Sequence, residues 1–271
     1  MKEIKLPDNF AASTEALVEE TWPVEGYLSR QEMRFLALLG AIPTADGEVL
    51  EIGSFKGKST IILAKSARST RPDVVINAVD PMTAPSETDP KLGGLQSSFP
   101  DFDRNIRVHG VAANVRLHQM FSRDLAETWD KPIRLLWIDG DHTYAGTKAD
   151  FDGFAEHLSD GAIVAIHDAL HEFEGGARVF AESILRSPNF GACGFCGSIA
   201  WGQFHVDPAD SAKFGSRKRT LLKKVDRVLP YIALGESLRG WKRKRYRFYR
   251  LLVPHGAVDP AKWIAQIDTV D

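Results

Sequence analysis

Apolar residues along this chain come in short blocks of strand length, separated by segments whose apolar positions recur with a helical period. The first helical segment opens at Ser29, where Ser29 as N-cap and Glu32 form a capping box and Met33, Leu36 and Leu39 share one face; Gly40 and Pro43 end it. EVLEIGS then reads as a buried strand, and SFKGKSTIILAKSAR as a turn and helix that Pro72 closes. VVINAVDP is the second strand. Residues 82–104, rich in Pro, Gly, Ser and Asp, are long for a plain connection and predict a lid or substrate loop. Further on, the pattern predicts a helix within 105–117, a strand at VRLHQMF, a short helix over 122–129 and a strand at IRLLWIDGD. TYAGTKADFDGFAEHL and EGGARVFAESILR read as helices flanking the strand GAIVAIHD, and FGACGFCGSIAWGQF suits a closing antiparallel hairpin. Strands alternating with helices imply right-handed crossovers. The expected fold is therefore α/β: a Rossmann-like, doubly wound, mostly parallel seven-stranded sheet with a C-terminal antiparallel hairpin and a basic helical tail.

Composition adds limits rather than identity. In 271 residues, 44% hydrophobic and 26% charged content is ordinary for a globular protein with a sizeable core. The start MKEIKLPDNF has no apolar run and no stretch reaches membrane-span length, so neither a secretory leader nor a transmembrane helix is expected. Two cysteines exclude a disulfide framework, and a cytoplasmic, reducing setting is the expectation. Charge is the exception. From Arg217 to Arg250 there are thirteen Lys or Arg against Asp226 and Glu236, on a chain whose net charge is -2. Three readings fit this segment: a solvated or dimer-packing helical face, a peripheral contact with the inner membrane surface that uses Trp241, Tyr246, Phe248 and Tyr249, or a clamp for an anionic substrate. No nucleic-acid-reading module appears, and nucleic acid is not an expected partner. Residues 1–28, with Pro7 and Pro23, read as a loosely structured arm, 29–208 as the ligand-binding domain and 209–271 as the basic extension.

The chemistry begins where the first strand ends. In open α/β sheets ligands bind beyond the carboxyl ends of the strands, at the point where strand order reverses. Here that edge carries Glu51, Gly53, Ser54 and Gly57 in an E-x-G-x-x-x-G spacing, and Asp80 closes the second strand 27 residues after Gly53. A carboxylate there can accept from both hydroxyls of a ribose. Dinucleotide enzymes place a second glycine where Ser54 stands, to admit a pyrophosphate. The charge of Glu51 opposes a pyrophosphate and suits a ligand carrying an ammonium and a sulfonium. Against this, Gly53 and Gly57 also serve a plain tight turn.

GYLSRQEMRFL, VLEIGSFKGKST, AVDP, LLWIDGDHTYAGTKAD and IVAIHD together resemble class I S-adenosylmethionine-dependent methyltransferases, over about residues 26–204. The group they are most similar to contains macrocin-type and other sugar O-methyltransferases and cephalosporin-hydroxylase-like proteins, with IDGDHTY the most distinctive piece. The resemblance implies that Glu51, Gly53 and Ser54 line the methionine end of S-adenosylmethionine, that Asp80 holds its ribose and that Ser122 lies near its adenine.

The fourth and fifth strands end in a second cluster: Asp139, Asp141 and His142 after WIDGD, then His167, Asp168 and His171 in IVAIHD and beyond. So many ionisable groups on one sheet edge need pairing, a metal or a chemical task. One expectation is a divalent metal, Mg²⁺ or another, on Asp139, Asp168 and His167, activating a substrate hydroxyl. The other is general base catalysis by His142 or Asp141 beside Asp139, the structural alternative being that Asp141 and His142 start a helix. The metal-dependent members of the group this chain resembles place one Asp at the position of Asp139 and an acidic–acidic or Asp–Asn pair where it has His167-Asp168, and imidazole suits softer metals than Mg²⁺. Cys193 and Cys196 lack the second pair a zinc site needs and read as packing thiols.

The expected function is O-methylation of a hydroxyl on a sugar or glycosylated small molecule, by a chain that can form homo-oligomers. The alternatives are a phenolic, nitrogen or lipid-linked glycan acceptor, a non-catalytic S-adenosylmethionine-binding module, and a dinucleotide oxidoreductase, which Ser54 disfavours.

Overall fold

The structure is a computed structural model that describes residues 5–83, 97–232 and 238–267. In chain order its elements are α1 (Phe10–Thr21), α2 (Arg30–Ala41), β1 (Glu48–Ile52), α3 (Lys58–Arg68), β2 (Ile76–Val79), α4 (Phe99–Val108), β3 (Val115–His118), α5 (Ser122–Ala126), β4 (Ile133–Ile138), α6 (Tyr144–Ala155), β5 (Leu158–Ile166), α7 (Glu174–Val179), β6 (Phe190–Cys196), β7 (Ile199–Phe204), α8 (Pro208–Ala212), α9 (Gly215–Val228), α10 (Gly240–Leu252) and α11 (Pro260–Ile267). A π-helical stretch, Phe180–Leu185, continues α7.

The seven strands form one sheet in the order β3-β2-β1-β4-β5-β7-β6. β1 to β5 run parallel, and β7 joins β5 antiparallel and carries β6 as the predicted hairpin. Strand order reverses between β1 and β4, where β-strand Cα partners run from Val49↔Leu135 to Ile52↔Ile138. Alternate strand residues feed opposite faces. Val49, Leu135, Trp137, Ile163 and Ala165 enter the core under α2 and α3, whereas Leu50, Ile52, Leu136, Ile138, Val164 and Ile166 enter the one on the other side.

Three features depart from the expectations. The arm at 1–28 contains α1, an ordered helix with Leu17, Val18 and Thr21 buried against the body. Its prolines bracket the helix instead of loosening the segment: the Phe10 N–H donates to the Pro7 carbonyl, and Pro23 lies beyond the last turn. The polar loop is shorter than 82–104, because α4 starts at Phe99 with Pro100 in its first turn, where a missing N–H costs nothing. The helix predicted within 105–117 is therefore displaced towards the N-terminus, and residues 84–96 of the expected lid lie outside the described residues. The basic extension, finally, is built into both cores. Leu221, Val225, Val228, Tyr246 and Val253 join one, and Trp263 and Ile267 the other. Among the described residues no helix is long and apolar enough to cross a membrane.

Candidate active site

The turn after β1 is held by its own neighbours. Gly53 has φ +82, and a Cβ there would lie 2.2 Å from the Asp139 carbonyl oxygen, so glycine is required by the close approach of the end of β4. Phe55 (φ 45) and Gly57 (φ 87) are also left-handed, and Gly57 caps α3. This conformation turns the Ser54 and Phe55 N–H groups toward Asp80, whose Oδ2 accepts both at 2.9 Å, while its Oδ1 accepts the Met82 N–H at 2.7 Å. The loop donors that a pyrophosphate would need are thus already taken by a carboxylate. That observation counts against a dinucleotide more directly than the missing glycine does.

Glu51, the charge expected beside the loop, lies inside the core. It is fully buried, its Oε2 accepts from the Thr60 hydroxyl at 2.5 Å, and burial pushes its carboxyl up to about 7. Among the described residues, its Oε1 and the Ser54 hydroxyl oxygen are buried without a well-formed hydrogen bond, although the Ser59 and Ser54 hydroxyls lie close enough to favour the ionised carboxylate. Unmet buried polar atoms beside a half-buried Asp80 suit an incoming ammonium and a ribose, so the residues present fit S-adenosylmethionine.

At the ends of β4 and β5 the cluster is a stack of opposite charges. Buried His167 places Nδ1 2.9 Å from Asp139 Oδ1 and 3.5 Å from Asp168 Oδ1, with Nε2 3.9 Å from Glu32 Oε2. Burial opposes its charge, but the Asp139 and Asp168 carboxylates outweigh that and raise its pKa well above the ordinary value. His142 is mostly buried, with Nε2 3.2 Å from Asp168 Oδ2 and 3.8 Å from Asp139 Oδ1. Burial again opposes its charge and is overcome, here chiefly by the hydrogen bond to Asp168, so its pKa is raised. Asp168 sits at φ 54, a left-handed conformation an aspartate tolerates; burial works against its ionised form, yet the His167 charge holds its carboxyl well below the usual range.

This geometry separates the predicted residues by role. Asp139, His142, His167 and Asp168 are together. Asp141 is not part of the stack: its Oδ1 accepts the Thr143 N–H at 2.8 Å and its carbonyl accepts from Thr147, which ties it to the first turn of α6, where Thr143 is the N-cap. Ser122, at the start of α5, donates to buried Asp150 of α6, whose carboxyl burial raises to about 6. The metal expectation changes. Asp139, His167 and Asp168 do not each bring a ligand atom within 4.8 Å of the others; among the described residues Asp160, His205 and Asp210, at the opposite edge of the sheet, do. Imidazoles lie between the two carboxylates and do the neutralising a metal would do, so the donor set does not fit a chelate. Cys193 and Cys196, three apart on β6, face opposite sides of the sheet, and burial raises both thiols, to about 12 and about 11.

Sequence reading missed Glu32. Its Oε2 accepts from the Ser29 N–H and hydroxyl as the capping box requires, while Oε1 accepts from the N–H and hydroxyl of Ser198 in the β6–β7 turn at 2.6 and 2.7 Å. The capping role alone accounted for its position in the sequence, and its burial beside His167 left no local trace. Asp150 was likewise invisible, as one acidic residue on an otherwise ordinary helix.

Residues 50–169, from β1 through Asp168, match the family model described as a methyltransferase domain. The strand-order reversal, the turn from Glu51 to Gly57 with Asp80, and Asp139, His142, His167 and Asp168 fall inside that segment. That segment is similar to methyltransferase domains. An uncharacterized protein, y4gI of Sinorhizobium fredii, is 32% identical over 143 residues, 48% of this chain, and the chain spans 15% of that relative's length. Among solved structures, cofactor-bound Rv0187 from MTB covers 74% of this chain and 92% of its own at 20% identity, with a TM-score of 0.52. The O-methyltransferase NovP is similar over 70% of this chain and 88% of its own, at 15% identity and a TM-score of 0.54. TomG of Streptomyces achromogenes, an O-methyltransferase involved in tomaymycin synthesis and solved with its methyl donor, gives 19% identity, 74% and 92% coverage and a TM-score of 0.50. At these identities the structures show a shared fold. The matched segment supplies the sheet edge, while α2 and the β6–β7 turn complete it through Glu32 and Ser198.

Proposed function

We propose that this chain transfers the methyl group of S-adenosylmethionine to a hydroxyl oxygen of a sugar or glycosylated small molecule, with His142 as the base and without a metal. The observation that carries the reading is the imidazole of His142, held between Asp139 and Asp168 at the sheet edge that also carries Asp80 and Glu51. The methyltransferase match and the folds of NovP and TomG support methyl transfer to oxygen. The choice of a sugar rests on the resemblance carried by IDGDHTY.

Bound S-adenosylmethionine supplies a methyl group on a sulfonium, open to in-line displacement. Glu51 and Ser54 would hold the methionine ammonium, Asp80 would accept from the ribose, and Ser122 with Asp150 would border the base. Asp168 fixes the His142 ring, which takes the acceptor's hydroxyl proton as the oxygen attacks, and the same carboxylate stabilises the imidazolium that results. His167 faces Asp139 and Asp168 from below, and its charge keeps Asp168 ionised in a mostly buried site. Asp141 positions the loop through its bond to Thr143.

Calorimetric titration tests the reading: S-adenosylhomocysteine is expected to bind and NAD not to, and the absence of S-adenosylhomocysteine binding would sink it. His142→Gln is expected to lower kcat by roughly 10²–10⁴ with product affinity retained. EDTA is expected to leave turnover unchanged; loss of turnover that added Mg²⁺ restores would return the role to a metal.

A further inference from the structure

Helix α10 presents two unlike faces. Inward, buried Tyr246 donates its hydroxyl to the Leu170 carbonyl at 2.6 Å, and Tyr249 stacks on Tyr231 with ring centroids 5.8 Å apart. Leu170 lies two residues beyond Asp168, so the helix is fastened to the segment that carries the site. Outward, Trp241, Phe248 and Leu252 recur at i, i+7 and i+11 and form one apolar ridge, with Leu251 beside it. These side chains are well exposed, Trp241 at 61% and Leu251 at 75%. Arg245 lies over the Trp241 ring, 5.1 Å from its centroid, and exposed Lys242, Lys244 and Arg247 flank the ridge, with Arg243 exposed farther round the helix. On α9, Arg217, Arg219, Lys223 and Arg227 are exposed as well. From Arg239 to Val258 the sequence has no acidic residue.

We infer that the outer face of α10 docks on an anionic lipid bilayer, its aromatic and leucine ridge entering between headgroups that the flanking cations bind. An interfacial helix needs both an apolar face that leaves water and a cationic border that meets anionic lipid, and α10 carries the two together. A second copy of the chain would oppose this cationic border to itself, which disfavours a symmetric pairing. Nucleic acid would account for the cations and leave Leu251 and Leu252 without a role. Because Tyr246 holds the helix to Leu170, docking sets the site about one helix diameter, roughly 10 Å, from the lipid surface.

Sedimentation with phosphatidylcholine vesicles, with and without 30% phosphatidylglycerol, tests the inference on the full chain. Pelleting with the anionic vesicles alone is expected, weakened by about fivefold for each of Lys244→Gln and Arg247→Gln and by rising salt. The triple variant Trp241→Ser, Phe248→Ser, Leu252→Ser keeps every cation and is expected to lose at least tenfold in partition, with an unchanged far-UV spectrum. The inference is overturned if the anionic vesicles fail to pellet the protein at low salt, or if the triple variant binds them as tightly as the parent. It is overturned too if light scattering shows a dimer that the triple variant dissolves while the parent ignores lipid. These readouts need no methyl transfer, so they stand or fall apart from the catalytic reading.

Discussion

At the ends of β4 and β5, carboxylates and imidazoles alternate within hydrogen-bond range, mostly buried, the carboxylates raising both imidazoles and the imidazoles lowering Asp168. Along α10, Lys242, Arg243, Lys244 and Arg247 stand exposed, with no ion pair to any described carboxylate. Both regions are dense in charge in the sequence. What separates them is the cost of leaving water: a buried ion must be compensated by the protein, whereas an exposed one is compensated by solvent until a partner arrives. The first region therefore contributes to the fold and to chemistry together, and the second can change without the fold noticing.

The sharpest test of that contrast is Asp168→Asn. It removes one carboxylate from between His142 and His167, and urea unfolding should show a loss of about 3 kcal/mol or more. A loss below about 1 kcal/mol would mean that the cluster is not ion-paired. Glu51→Gln should follow, with an effect that depends on pH. The buried carboxyl is raised from 4.5 to about 7, so its neutral form favours folding. That advantage is complete below pH 4.5 and is lost as pH rises through 7. At pH 8 the glutamine variant should therefore exceed the parent in stability by about 3 kcal/mol, with the gain falling below about 1 kcal/mol at pH 5 and vanishing below pH 4.5; thermal melts across that range measure it. Gly53→Ala forces a Cβ against the Asp139 carbonyl at φ +82 and should lose about 2 kcal/mol along with affinity for S-adenosylhomocysteine. At the other extreme, Lys244→Gln and Arg247→Gln should leave unfolding free energy within about 0.5 kcal/mol of the parent.

The fold was largely legible because its cues are local: apolar runs ending in Gly or Asp, prolines after helices, and the capping box at Ser29. The errors have local causes as well. The first turn of α4, FPDFD, has the composition of a loop and becomes a helix because Pro100 occupies the position where proline is harmless. The prolines around α1 read as disorder and act as stops. At the site, spacing placed Asp80, Asp139, His142 and Asp168 on one edge, since parallel strands share a direction. Whether those groups chelate or pair with one another is decided by ångström-scale separations that no spacing records. Glu51 read as a charge and is buried; Gly53 read as room for a ligand and makes room for β4.

Glu32 links events that are distant in synthesis. Its capping bonds to Ser29 can close as soon as the first helices form, but its second oxygen awaits Ser198, 166 residues further along. Gln31 beside it waits longer still, donating to the His255 carbonyl at 3.0 Å. A nascent chain that has released only β1 to β5 thus holds the strand ends and lacks the N–H and hydroxyl that anchor Glu32 next to His167. The segment that resembles a methyltransferase is translated well before the part of the protein that finishes it, and the ribosome must pass the hairpin before the charged cluster can settle.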